Sequence, residues 1–92
     1  MPATYLVVRH HVQDYAAWRK VFDDFADVQD KEGVTAKMVY QSASDPNAIM
    51  VMHRFDSEAK AQAFVELTEL KEAMMSAGVE GAPEMDFYHE AG

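Results

Sequence analysis

Apolar and polar positions along the chain change period several times, and each change marks an element. From Tyr5 to Val12 the pattern has period two with both sets apolar. Leu6, Val8 and Val12 share one face, and Tyr5 and Val7 share the other. Clean alternation would mark a half-exposed strand, so this pattern predicts a strand covered on both faces. Asp14 is placed to accept a bond from a free N–H of a first helical turn. Tyr15, Trp18, Phe22 and Phe25 then recur at helical spacing, while Arg19, Lys20, Asp23, Asp24 and Asp27 fall largely away from them. Gly33 tolerates the left-handed conformation of a helix C-cap, so the helix is predicted over about 14–32.

Thr35–Gln41 and Ile49–Phe55 read as strands two and three, joined through the turn residues Ser44, Asp45, Pro46 and Asn47. Asp56 or Ser57 caps the next helix, whose apolar side carries Ala61, Phe64, Val65 and Leu67. Thr68 restarts a short helical piece that ends at Gly78. Gly81, Ala82 and Pro83 predict a loop, and Met85–His89 a short last strand. The order is βαββαβ within one domain, 1–92. Split βαβ connectivity with right-handed crossovers gives an antiparallel four-stranded sheet in order 4-1-3-2, with the helices on one face. The opposite face also bears apolar residues, so a second copy of the chain is the simplest cover and a homodimer is expected.

Composition narrows the class. Ninety-two residues suit one domain, which buries only roughly 60–65% of its unfolded surface. There is no cysteine, hence no disulfide, thiolate metal site or thiol nucleophile. A net charge of −8 argues against nucleic acid and anionic membranes as partners. The first residues lack a basic stretch leading into a long apolar run, and no apolar run could span a bilayer, so the cytoplasm is the expected location.

The third strand ends in His53, Arg54, Phe55, Asp56, Ser57, and further on stand Phe64 and then Leu67, Thr68, Glu69, Leu70, Lys71. With the element order, these stretches resemble the dimeric α/β barrel superfamily, and within it the small antibiotic-biosynthesis-monooxygenase-like proteins. The likeness spans nearly the whole chain in element order and is sharpest from Met50 to Lys71. It implies a ferredoxin-like α+β fold, two copies forming a dimeric α/β barrel, and a hydrophobic or aromatic small molecule as ligand. It further implies a monooxygenase or cyclase activity that needs no cofactor. Phe64 and Glu69 stand where many members carry histidines, one of which ligates iron in the haem-degrading branch, so haem binding of that kind is not expected. The stretch His11, Val12, Asp14, Tyr15, Trp18 also resembles uncharacterised members, some called cyclases.

Imidazole titrates near neutral pH, which makes His10, His11, His53 and His89 the candidates for proton transfer. The topology puts His10 and His11 at one end of the sheet, with His53 and His89 near the other. No histidine spacing matches a metal motif, and no metal or cofactor is expected. His53 and His10 are the candidate bases. Tyr40, Arg9, Arg54 and His89 are candidates to bind a substrate, the first three as donors to a developing anion. The plain alternatives are surface or interface histidines and, for Tyr40 and Tyr88, interface packing. Trp18, within its aromatic stripe, is expected in the core. Met38, Met50, Met52 and Met85 suit either an adaptable apolar cavity or an ordinary core. Two further readings stay open, a ligand-sheltering or stress-response dimer without catalysis and a structural dimerisation module. Convergent polar groups in a cavity favour the enzyme, and a dry, methionine-filled cavity the binding dimer.

Overall fold

The computed structural model describes residues 3–91. Its elements are β1 (Thr4–Val12), α1 (Tyr15–Asp24), α2 (Ala26–Lys31), β2 (Val34–Gln41), β3 (Ala48–Phe55), α3 (Glu58–Val65), α4 (Thr68–Ser76) and β4 (Val79–His89). The four strands form one antiparallel sheet in the order β2-β3-β1-β4, the expected topology. Each strand therefore has two-residue parity with its neighbours, and the register sorts side chains into two faces. One inner row runs Phe87, Leu6, His53, Lys37, and the next runs Met85, Val8, Val51, Val39. The outer face carries rows such as Asp86, Val7, Met52, Met38 and Glu84, Arg9, Met50, Tyr40.

The inner face packs on the helices through two clusters. Leu6, Val8, Val34, Phe55, Ala61, Phe64 and Leu70 form one, with Phe25, Leu67, Met74 and Met85 beside it. Val12, Trp18, Phe22, Ile49, Val51 and Ala77 form the other. Trp18 is buried, as its stripe predicts. Asp14 caps α1, its carboxylate accepting from Ala17 N at 3.0 Å, and Ser57 caps α3 by accepting from Lys60 N.

Three local expectations are corrected. The first helix breaks at Phe25 into α1 and α2. There the Phe25 ring packs near Phe64, 6.3 Å between centroids. The last strand is not short: it runs from Val79 to His89, through the predicted loop. Gly81, at φ 71°, and a register shift opposite Arg9–His11 let it pass irregularly along β1. Gly33, at φ 99°, does take the left-handed conformation, with Lys60 Cδ 3.2 Å from where a Cβ would stand. His53 is the third: it is only 5% exposed, so it is not a surface histidine. Among the described residues no helix is long and apolar enough to cross a membrane.

Candidate functional site

Between the helices and the inner sheet face lies a cavity of about 50 Å³. The sheet contributes Val8, His10, Val51 and His53 to its wall. The broken first helix adds Trp18, Phe22, Phe25 and Gln29, and the second helical pair adds Phe64, Leu70 and Met74. The wall is thus mostly aromatic and aliphatic, interrupted by two imidazoles and one amide.

His10 and His53 had been assigned to opposite ends of the sheet. His53 pairs with Leu6, four residues before His10 on β1, so their backbones are separated by roughly 13 Å. An even separation keeps both on the inner face, and both rings reach the cavity. A run of rings links them. His10 lies 5.6 Å from Trp18, Trp18 stacks on Phe22 at 4.9 Å, and His53 stands 6.5 Å from Phe22 and 5.4 Å from Phe64.

Among the described residues, both ring nitrogens of His10 and Nδ1 of His53 are buried without a hydrogen-bond partner. An unpartnered buried polar atom costs about 1–3 kcal/mol. Burial disfavours the charged imidazolium, and it pulls His10 below the ordinary imidazole pKa and His53 down to about 4. A hydrogen bond with the Leu6 backbone opposes the shift of His53, while the charges of Lys37 and His10 add to it. Both rings are consequently neutral at pH 7 and can accept a proton or a hydrogen bond.

Gln29 was not among the residues expected at a site. It is 1% exposed, and Lys37 Nζ donates to its Oε1 at 2.7 Å. A signal was present, because the stripe Tyr15, Trp18, Phe22, Phe25 advances by three and four, and the next step lands on Gln29. Lys37 shares the inner face of β2 with Val39 and lies 5.4 Å from the Phe22 ring centroid.

The other expected residues lie elsewhere. Arg9 and Tyr40 line an open groove on the outer sheet face, of about 550 Å³, with Met50, Glu84 and an edge of His10. Arg54 donates to Thr35 Oγ1 and to Asp56, towards the far end of the sheet. His89 stands 3.7 Å from Glu58 and lines neither cavity. His11 is exposed and bridges two carboxylates, Glu80 at 2.5 Å and Asp45 at 2.9 Å, the Glu80 contact contributing most to its raised pKa. Phe64 is fully buried core, and Glu69 is exposed in the first turn of α4.

No protein-family model matches the sequence, and no curated protein matches it either. Solved structures do match over the whole chain. A provisionally named antibiotic biosynthesis monooxygenase from Bordetella bronchiseptica superimposes with a TM-score of 0.85 at 9% identity, covering 99% of both chains. SnoaB, a cofactor-independent oxygenase from Streptomyces nogalater, gives 0.81 at 11% identity, covering 100% of this chain and 96% of its own. A further provisionally named antibiotic biosynthesis monooxygenase, from Caulobacter crescentus, gives 0.78 at 21% identity over 99% and 92%. The chain therefore has the ferredoxin-like α+β fold of the antibiotic-biosynthesis-monooxygenase-like proteins.

Proposed function

We propose that this protein is a cytoplasmic homodimer that binds a hydrophobic or aromatic small molecule in the helix–sheet cavity and oxidises it without a bound cofactor. The observation that carries this reading is a pair of imidazoles lining one apolar cavity, with both nitrogens of His10 and Nδ1 of His53 buried and without a partner. A ligand-sheltering dimer has no use for such groups, since each orphaned nitrogen costs stability. Similarity in fold to SnoaB supports the same chemistry.

His53 or His10 takes a proton from an acidic carbon of the ligand. A buried imidazole with a pKa of about 4 is a weak base when alone. Proton transfer here forms imidazolium and carbanion together, and in an apolar surround each offsets the cost of the other. The carbanion gives its electron pair to dioxygen, forming a C–O bond. The hydroperoxide then breaks its O–O bond and loses water, so that a CH₂ group and O₂ become C=O and H₂O. The protein supplies the base and excludes bulk water.

About 50 Å³ holds only a few waters, and an apolar cavity that binds benzene is about three times larger. A ligand must therefore displace part of the wall, and Met74, unbranched and flexible, is the side chain best suited to yield. The outer sheet face, with Val7, Met38, Met50, Met52 and the half-exposed Tyr40 and Tyr88, is the surface for the partner copy. The test is a panel of aromatic and polyketide-like CH acids, with oxygen uptake and ligand fluorescence as readouts. His53→Leu is expected to lose turnover while remaining folded. Oxygen uptake by His53→Leu and His10→Leu equal to that of the wild type removes the proposed chemistry.

A further inference from the structure

Neutral imidazoles can take a proton, but they do not account for the negative charge left behind. The donors expected from the sequence do not line the cavity, since Arg9 and Tyr40 sit on the outer face and Arg54 is engaged with Thr35 and Asp56. One side chain in the cavity wall can donate more than one hydrogen bond, and that is Gln29.

We propose that Gln29, oriented by Lys37, is the donor that stabilises negative charge on an oxygen of the ligand, and that Lys37 is its positioning residue. This rests on the helix–sheet cavity being the ligand site. A lysine ammonium can only donate, so the atom it holds at 2.7 Å is the amide oxygen, Oε1. The end left for the cavity is the NH₂ group, with two donors. An amide free to flip would present oxygen or nitrogen equally, and an oxygen would repel the anion. The Lys37 contact removes that ambiguity and polarises the amide in the direction that strengthens its N–H groups as donors.

Packing supports the assignment. Gln29 is 1% exposed, so the amide contributes nothing to solubility, and its Oε1 is already held by Lys37. Lys37 is anchored on β2 beside His53 in the same inner row, with its ammonium against the Phe22 ring. Its positive charge acts on the cavity in one sense. It disfavours imidazolium at His53 in the empty protein and favours an anion once a ligand is bound. The titratable groups in the cavity wall are His10 and His53, and the two charges over its Phe22 ring, Lys37 and Arg19, are positive, the latter paired with Asp23.

The experiment uses 4-nitrophenol, whose phenolate absorbs visible light, and 4-nitroanisole, which has the same ring and no acidic proton. Wild-type protein is expected to bind both, and to bind the phenolate more tightly than the anisole. Gln29→Leu should weaken the phenolate by about 10–100-fold, the usual scale of a charge-assisted hydrogen bond, and leave the anisole within about twofold. Gln29→Glu keeps the Lys37 contact and replaces the donor by a carboxylate, so the bound phenol should stay un-ionised. Lys37→Met should weaken the phenolate and raise the NMR titration midpoint of His53, and Lys37→Arg should restore both. Wild-type phenolate affinity in Gln29→Leu or Gln29→Glu, with anisole binding intact, overturns the role of Gln29 and leaves the cavity as ligand site. Failure of the wild type to bind either probe overturns the cavity reading and this proposal with it.

Discussion

His53 contributes a pH dependence of its own to this fold, in the same sense as the buried His10. The pKa of His53 is about 4 in the folded chain and near 6.5 in the unfolded one. Between those values the unfolded chain holds a proton that the folded chain does not, so stability falls as pH falls. By pH 4 the loss is on the order of 3 kcal/mol. Urea unfolding of wild type and His53→Leu at pH 7 and pH 4.5 should show a smaller loss in the variant. At pH 7 the variant should equal or exceed the wild type, since it removes an orphaned nitrogen and keeps the volume. Equal pH slopes in the two proteins would contradict the buried, neutral ring. Trp18 is the opposite kind of residue, stacked on Phe22 and 4% exposed. Trp18→Ala should cost roughly 3–5 kcal/mol, read from the denaturation midpoint. Both placements bear on what a sequence discloses at this scale. Trp18 was legible because its apolar neighbours share its period. Gln29 sat on the same stripe and was passed over, because a glutamine is ordinarily a solvated residue.

At the level of elements, local chemistry marked starts better than interruptions. Asp14 and Ser57 announce α1 and α3 because a capping oxygen has one job at one position. Asp14→Ala should cost about 1 kcal/mol in a chemical melt, and Asp14→Asn almost none. The break at Phe25 has no such marker in the sequence around it, and the ring it packs on, Phe64, lies nearly forty residues on. β4 was misread for a related reason. Gly81, Ala82 and Pro83 carry turn chemistry, yet β1 offers a paired edge that overrides it, with the irregularity absorbed opposite Arg9–His11. The sequence offers His10 and His53 as candidates by residue type alone, and the structure brings both to one cavity wall. The register of β1 on β3 puts both on one face, and only the helical layer decides that one cavity reaches both rings.

For the molecule as a whole, an outer sheet face bearing the partly exposed Met38, Met50 and Met52 and the exposed Tyr40 and Tyr88 is costly to leave in water. Light scattering at micromolar concentration should give about twice the chain mass. Met52→Asp places a charge in the middle row of that face and should yield a monomer of lower stability. A well-folded wild-type monomer would remove the barrel assembly from consideration. The sheet order 4-1-3-2 follows from the order of elements and the handedness of their connections.

The smallness of the cavity sets a clock as well as a volume. At about 50 Å³ it is too small for an aromatic ring in this conformation, and the helices α2 and α4 beside it begin without a capping side chain, at Phe25 and at Leu67. Entry then waits on the wall, and every ligand meets the same delay whatever its chemistry. Observed association rates should climb with ligand concentration and level off at a common ceiling, the frequency with which the wall parts. Affinity is reduced by the same factor for all ligands, namely the fraction of molecules open at any instant. Met74→Ala should raise that ceiling and tighten binding across the panel by one shared ratio, so the order of preference among ligands stays as it was.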